Sequence, residues 1–321
     1  MFDDIVSTFT RLRPTSFTGE VVHCNLCGSP EHDVVGRRDR YGHRLVNVLC
    51  RGCGLVFVNP MPTEEMVAEF YQHEYRRSYH NAYTPRKKAI LRAKKGAFLR
   101  HVHIAPVLKT GDRVLDVGAG GGEFVHYMCE KGFDARGIEP NETFADYARR
   151  TYGVPIHMAT WQAAQLEDES FDVITANHVV EHFRDPDAAL RRFHSWLRPG
   201  GRIFLSVPSI ANPNRTPYGR FHFGHLYNFT YETLAMLARR AGFIQSEETP
   251  ERSTALIFYK AEPTEEWQLF PDHYTVMREF FDTYTNRRYF LTPTPYFRWV
   301  HRMTRLGGDM IKASVTRRPV K

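Results

Sequence analysis

Three groups of residues in this chain have the types and spacing to do chemistry. The first is Arg113-Val114-Leu115-Asp116-Val117-Gly118-Ala119-Gly120-Gly121-Gly122-Glu123-Phe124, followed further on by Gly137-Ile138-Glu139-Pro140. It reads as a buried strand breaking into a glycine turn, a helix, and a second strand that ends in an acid. Glycine lets the backbone approach a nucleotide-like ligand with no Cβ in the way. A carboxylate at the end of the next strand is placed to accept hydrogen bonds from a ribose diol.

The second group is four of the 5 cysteines, in Cys24-Asn25-Leu26-Cys27-Gly28 and Cys50-Arg51-Gly52-Cys53-Gly54. Two C-x2-C-G knuckles in a cytosolic chain read as a tetrahedral zinc site rather than as disulfides. A four-thiolate site has no open coordination position, so its zinc is structural; redox exchange is the alternative. Asp33-Val34-Val35-Gly36 and Leu45-Val46-Asn47-Val48-Leu49 supply strands between the knuckles, joined by the polar Arg37 to Arg44 segment, and the whole reads as a zinc ribbon. Cys129, alone on the helix after the glycine turn, is expected to be a buried small apolar residue.

Histidines make the third group. His178 and Glu181-His182 follow one apolar strand, while His222, His225 and Tyr227 lie in Arg220-Phe221-His222-Phe223-Gly224-His225-Leu226-Tyr227-Asn228-Phe229-Thr230. An imidazole titrates near neutral pH and suits proton removal from a hydroxyl or carbon acid. Helix capping or packing is the other reading of each.

The elements that must position these groups alternate between strand and helix. Thr63-Glu64-Glu65 caps a short helix with Met66, Phe70 and Tyr71, and Thr84-Pro85 opens a basic helix running to Val107. Helices follow at Glu123 to Lys131, stopped by Gly132, and at Asn141 to Tyr152, ended by Gly153. Val154 to His157 and Phe171 to Ala176 read as strands. An amphipathic helix with Leu190, Phe193, Trp196 and Leu197 ends at Pro199-Gly200-Gly201, before a strand over Ile203 to Val207. A helix from Tyr231 to Ala241 precedes a final hairpin made by Gly242-Phe243 and Ala255 to Tyr259. This alternation implies a mainly parallel sheet with helices on both faces.

Composition narrows the class. With 321 residues, 42% hydrophobic and 25% charged, the chain is an ordinary globular protein of about two domains. No apolar run is long enough to span a bilayer, and the start Met1-Phe2-Asp3-Asp4 lacks a signal peptide's pattern, so a cytoplasmic location is expected. The net charge of +7 concentrates at the end of the chain, including Arg287, Arg288, Arg298, Arg302, Arg305, Lys312, Arg317, Arg318 and Lys321, and over Arg86 to Arg100. Such charge contacts nucleic acid, anionic lipid or a phosphorylated substrate, or lies on a solvated helix face.

On these residues the chain resembles class I S-adenosylmethionine (SAM) dependent methyltransferases of the small-molecule (type 11/12) group that carry an N-terminal zinc ribbon. Four blocks carry the resemblance: the ribbon with the trailing Asn59-Pro60 and Phe70-Tyr71; the D-V-G-A-G-G-G turn with Glu139; Phe171-Asp172-Val173 through Asn177-His178-Val179-Val180-Glu181-His182; and Leu197-Arg198-Pro199-Gly200-Gly201. It implies an α/β fold with a Rossmann-like seven-stranded sheet whose last strand runs antiparallel. The expected order is an N-terminal arm and ribbon over residues 1–60, a helical linker or lid over 61–108, the SAM-binding core over 109–262 and a basic, aromatic helical extension over 263–321.

The resemblance also implies roles. Gly118, Ala119, Gly120 and Gly122 line the methionine and ribose, Asp116 supports the turn, and Phe124 and Pro140 flank the site. Glu139 holds the ribose hydroxyls. Asn177 and His178 flank the sulfonium, Asn177 otherwise being a turn residue, and Trp161 of Ala159-Thr160-Trp161 contacts adenine, where the family's usual acid is absent. The H-L-Y-x-F-T segment borders the acceptor pocket, which makes His225 the first choice for a base and His182 the second. The implied acceptor is a nucleotide-linked sugar, a glycan or a natural-product intermediate.

Two rival readings stand beside this. An RNA methyltransferase fits Arg37, Arg38, Arg40, Arg44 and Arg51 as phosphate contacts, but Asn-His-Val-Val after the fourth strand is not the N/D-P-P-aromatic motif of exocyclic amine methylation. A non-catalytic SAM- or nucleotide-binding module in a glycan-assembly complex fits poorly with the intact glycine turn and polar rim. Tyr289-Phe290-Leu291 and Tyr296-Phe297-Arg298-Trp299-Val300-His301-Arg302 interleave aromatics with arginines. They suit an anionic membrane surface, a cover over the acceptor pocket, a dimer contact, or a packed helix with a solvated basic face.

Overall fold

In a computed structural model of the chain, the residues described are 19–69, 87–212, 216–217, 219–248 and 253–297. Strands β1 (His32–Arg38) and β2 (Arg44–Cys50) form the expected hairpin, and β2 also pairs antiparallel with β3 (Val56–Val58). The hairpin's register slips on both sides of Gly36. A Cβ at Gly36 would lie 2.2 Å from the Phe221 ring, so this glycine admits a residue from far along the chain. Helix α1 (Glu64–Glu69) follows, with Thr63 Oγ1 accepting from Met66 N at 3.4 Å. Phe70-Tyr71 and Thr84-Pro85 lie outside the described residues.

The basic helix α2 (Lys87–Ile104) leads into β4 (Arg113–Val117). Then come α3 (Glu123–Glu130), β5 (Asp134–Ile138), α4 (Glu142–Tyr152), β6 (Ile156–His157), β7 (Phe171–Asn177), α5 (Pro186–Trp196) and β8 (Leu197–Ser206). After these come β9 (Tyr227–Asn228), α6 (Tyr231–Arg240), β10 (Phe243–Gln245), β11 (Ala255–Lys260), α7 (His273–Thr283) and α8 (Asn286–Phe290). Cap residues set the helix ends. Asn141 Oδ1 accepts from Thr143 N, Asp185 from Ala188 N, and Thr230 with Thr233 forms a reciprocal capping box. Gly153, at φ 67°, closes α4.

The seven-stranded sheet has the order β10-β11-β8-β7-β4-β5-β6, and β11 runs antiparallel to both its neighbours while the other pairs are parallel. β7 is buried at every residue except its last, Asn177, because helices cover both faces of a parallel sheet. Strand β8 begins earlier than its sequence suggests. Leu197-Arg198-Pro199-Gly200-Gly201 does end helix α5, but Leu197 already pairs with Phe171 of β7, and a register shift between Phe171 and Val173 absorbs the turn before Arg202 resumes the pairing. Helix α3 turns Phe124, Val125 and Met128 to the core; Cys129, four residues after Val125, is exposed, with its thiol 3.6 Å from Ala135 O. The expectation of a buried cysteine is therefore corrected: at the end of the helix the core no longer covers that row.

The ribbon sheet is completed from the other end of the chain, in the order β1-β2-β3-β9, with Phe57 opposite Tyr227 and Val56 opposite Asn228. Asn25 Nδ2 donates to Asp185 Oδ1 at 2.9 Å, Asn25 Oδ1 accepts from Asp187 N at 3.1 Å, and Arg240 Nη1 donates to the carbonyls of Asn25 and Leu26. Helix α7 packs along the ribbon through Tyr274, whose hydroxyl donates to Asp33 Oδ2 at 2.6 Å. Among the described residues no helix is long and apolar enough to cross a membrane.

His273, at the start of α7, is buried against Gly54 of the second knuckle and hydrogen-bonds the Thr230 hydroxyl at 2.9 Å. Burial pulls its pKa below the usual histidine value, with Glu232 opposing, and burial lowers His194 too, whose Nε2 donates to Ala261 O at 2.7 Å. A depressed folded-state pKa means the unfolded chain protonates first. Stability from these two groups is complete above about pH 6.5 and declines as pH falls through that value toward the folded pKa values, by at most about 1.4 kcal/mol per pH unit for each proton. Thermal melts between pH 5 and 7 should show that slope, and His273→Gln should flatten it. An unchanged slope in the variant would remove His273 from the account.

Candidate active site

The glycine turn sits at the carboxyl end of β4, where the strand order reverses between β4 and β7 and open α/β sheets bind ligands. Gly118, Gly120 and Gly122 have φ of 71°, 55° and 80°, a region that side chains avoid. Their surroundings divide the labour. A Cβ at Gly118 would lie 2.7 Å from Val179 Cγ2, and one at Gly122 would lie 2.6 Å from Ala148 Cβ; at Gly120 nothing lies within 4 Å. Gly118 and Gly122 therefore serve close packing, and only Gly120 leaves the open cradle expected of all three.

Glu139, beyond the end of β5, faces that cradle. Its Oε2 accepts from Gly120 N at 2.9 Å and its Oε1 from Asn141 N at 3.0 Å. The carboxylate is thus fixed beside the open glycine, where a diol would meet it. Pro140 is exposed beside it, Ala119 is buried in the turn, and Trp161 is half-buried with its ring 5.9 Å from Phe183. The residues present fit a nucleoside-bearing ligand. Glu139→Ala removes a charged acceptor worth about 1.5–3 kcal/mol, and should weaken SAM about tenfold or more. Gly120→Val fills the cradle and strains a left-handed residue, and should abolish binding. Calorimetry that finds both variants at full affinity would overturn the placement.

Asp116 is buried, and its Oδ1 accepts from Arg100 Nη1 and Thr175 Oγ1, each at 2.6 Å. Burial raises its pKa, with the Arg100 charge opposing. Its Oδ2 has no hydrogen-bond partner among the described residues, an orphaned acceptor at the base of the turn. Arg100 also stands 4.1 Å over the Phe124 ring, and Phe124 is buried. Phe124 therefore packs beneath α2, and Arg100 is a residue that sequence reasoning missed.

The histidine groups meet at the ends of β7 and β8. His178, at φ 57° and with its side chain 55% exposed, turns the chain after Asn177, which is half-buried at the strand end. Glu181 is buried, its two carboxylate oxygens have no hydrogen-bond partner among the described residues, and its Oε1 lies 3.6 Å from His178 Nδ1 and 3.7 Å from His182 Nε2. His182 Nδ1 donates to Gly224 O at 2.5 Å. The half-buried His225 ring lies 5.0 Å from His182 and 5.2 Å from His222, whose Nδ1 accepts from Gly224 N at 3.0 Å. Glu181, His182 and His225 bring one ligand-capable atom each within 4.8 Å of one another, a set that can share a proton or hold a divalent cation.

Tyr227 is not on this rim. It is buried in β9, stacked 6.2 Å from Phe57 and 6.1 Å from Phe229, and its hydroxyl donates to Arg184 O at 3.1 Å. Burial pushes its pKa further above the usual tyrosine range. Its expected catalytic part is corrected to a packing one.

The four knuckle cysteines converge away from the glycine turn. Cys24 and Cys53 sulfurs are 3.6 Å apart, Cys27 and Cys50 sulfurs 3.3 Å, and all four lie within 4.8 Å of one another. A zinc ion with Zn–S bonds of about 2.3 Å requires sulfurs about 3.8 Å apart, so the array fits a tetrahedral ion. Gly28 and Gly54, both at φ 74°, make the turns after each pair.

The strand order, the single antiparallel strand, the glycine turn and its facing acid define a class I SAM-dependent methyltransferase. The chain belongs to the methyltransferase-domain family, whose sequence model matches residues 80–244. It is 35% identical over 103 residues to a ubiquinone biosynthesis O-methyltransferase of Pseudomonas aeruginosa, covering 30% of this chain and 44% of that one. It is 37% identical over 123 residues to phosphoethanolamine N-methyltransferase 1 of Arabidopsis thaliana, covering 36% of this chain and 24% of that one. The chain thus spans less than half the length of these curated relatives. A solved SAM-dependent methyltransferase of Thermotoga maritima aligns with a TM-score of 0.43 and 20% identity, covering 58% of this chain and 97% of that one.

Proposed function

We propose that this chain methylates a small-molecule acceptor, a nucleotide-linked sugar, a glycan or a natural-product intermediate, held at the rim formed by Asn177–His182 and His222–His225. One observation carries the reading: Glu181, buried and with no hydrogen-bond partner among the described residues, and two imidazoles converge within 4.8 Å at the end of the strand beside the glycine turn. SAM, when bound, supplies a methyl group on a sulfonium, already a strong electrophile. The chain's own residues do the rest. Gly120 and Glu139 seat the nucleoside, Asn177 and the His178 turn border the acceptor, and His225 takes the acceptor's proton as its oxygen, nitrogen or carbon becomes nucleophilic. Glu181 opposes the positive charge that His182 and His225 then share.

The two relatives named above for ubiquinone biosynthesis and phosphoethanolamine, both small acceptors, support the small-molecule class. The test is SAM consumption across nucleotide sugars, lipid-linked glycans and a structured RNA. Turnover on RNA alone would replace this reading. Cys24, Cys27, Cys50 and Cys53 are assigned by the same reasoning to one structural zinc, on the strength of their sulfur spacing.

A further inference from the structure

Arg220 is a buried cation with no counter-charge among the described residues. It is 3% exposed, its Nε and Nη2 have no hydrogen-bond partner, and no carboxylate pairs with it among the described residues. What holds it is aromatic. Its guanidinium lies 4.6 Å from the Phe280 ring centroid, 5.1 Å from Phe281 and 5.3 Å from Tyr284. Cation–π contact compensates only part of the lost hydration, and burial pulls the group's pKa down to about 10, so it keeps its charge at neutral pH.

A cavity of 560 Å³ opens beside it, lined by Arg37, Arg38, Asp39, Arg40, Arg220 and Tyr284 among others. Arg40 Nε is a second buried donor with no hydrogen-bond partner among the described residues. The only carboxylate in that lining, Asp39, turns Oδ1 to the hairpin's own Tyr41 N and His43 N, each at 2.9 Å. Four guanidinium groups against one carboxylate make a concave surface that asks for more than one negative charge. Guanidinium forks match phosphate oxygens two at a time, whereas a single carboxylate would leave most of these donors unmet. The volume suits a ligand of nucleotide size.

The cavity lies between the ribbon hairpin, the segment after β8 and helix α7, and it contains no residue of the glycine turn. SAM has no phosphate, so this charge is not there for SAM. Yet the cavity wall continues to the rim: Arg40 N donates to Phe221 O at 2.9 Å, and the next residue, His222, has its ring 5.2 Å from that of His225. We infer that this cavity binds the diphosphate of the acceptor and so sets the class of molecule whose far end reaches His225. The inference rests on the small-molecule reading above, but its ligand site stands on these residues alone.

Calorimetric titration of the full chain with inorganic pyrophosphate tests it, with uridine diphosphate and geranyl diphosphate as parallel arms and SAM affinity as the control. Pyrophosphate should bind the native chain, and Arg220→Gln should weaken it about tenfold or more, the loss expected for hydrogen bonds to a charged group, with SAM affinity unchanged. Because Arg220→Gln also alters a buried position, Arg40→Gln provides a second, half-buried probe and should weaken binding in the same direction. Tighter binding of uridine diphosphate than of geranyl diphosphate identifies a nucleotide-linked source, and the reverse a lipid-linked one; both support the site. No pyrophosphate binding at millimolar concentration, equal binding by both variants, or loss of SAM affinity along with pyrophosphate would overturn it. Such a failure would leave methyl transfer to a small acceptor intact, whereas turnover on RNA alone would remove the latter while pyrophosphate binding persisted.

Discussion

Purified protein should carry about one zinc per chain, and a Cys24→Ala, Cys50→Ala double variant should lose the metal, much of its thermal stability and its methyl transfer together. Thiolate zinc in small folds has an apparent binding free energy of about 10–16 kcal/mol, and where the site does not exist in the unfolded chain that energy is folding energy. In an independent ribbon the damage would stop at the ribbon's edge. Here it does not. Strand β3 follows directly on the second knuckle and pairs with Tyr227–Asn228, while Leu226 O accepts from Val58 N at 2.9 Å. His225 precedes that residue in the chain, so a ribbon without its ion releases the segment that carries the rim. Arg240 and Asn25 tie the first knuckle to α5 and α6 in the same way. The checks are metal analysis and parallel melts and assays of the double variant. Protein that contains no zinc, or a double variant as stable as the native chain, would end this assignment.

How much of this was legible in the sequence follows from how local each feature is. The glycine turn with Glu139, the helix ends at Asn141, Gly153 and Thr230, and the four-cysteine array are written in contiguous or closely spaced residues, and the structure has them where the sequence puts them. What contiguity hides is the neighbour. Nothing in D-V-G-A-G-G-G says that Gly118 meets Val179 and Gly122 meets Ala148, so three glycines looked equivalent although one alone is open. Tyr227 looked like a rim residue because its segment follows a strand; the pairing with β3 that buries it joins residues far apart in the chain. Arg100 and Arg220 give no periodic signal, since their partners, Asp116 in one case and the α7 aromatics in the other, are found only through folding. Cys129 belongs with these: four residues after the buried Val125, its spacing puts it at the edge of the core stripe, and its exposure is found only through folding.

His225→Ala should lower turnover by about 10² to 10⁴ while leaving SAM affinity and melting temperature near the native values, the range that a positioned general base contributes. The expectation rests on position. The His225 ring is half-buried between those of His182 and His222, so it lies in the rim and not in the core. His222 is committed, since it is buried and its Nδ1 accepts from Gly224 N. His182 is held at Nδ1 by Gly224 O and faces the Glu181 carboxylate through Nε2, which suits it to steady charge on its neighbour. A histidine that only packs would behave in the opposite way, with a lower melting temperature and normal turnover per folded molecule. Glu181→Gln separates the remaining assignments. It keeps the shape but removes the buried charge that opposes an imidazolium, so turnover should fall and its pH profile shift, with SAM binding retained. If His182→Ala is the inactive variant and His225→Ala turns over normally, the base is His182. If chelation alone stops turnover and added divalent cation restores it while zinc stays in the ribbon, then Glu181, His182 and His225 hold a cation instead. Should none of these changes affect turnover, the chain needs no base, and the acceptor atom must be an amine or thiolate that is nucleophilic already.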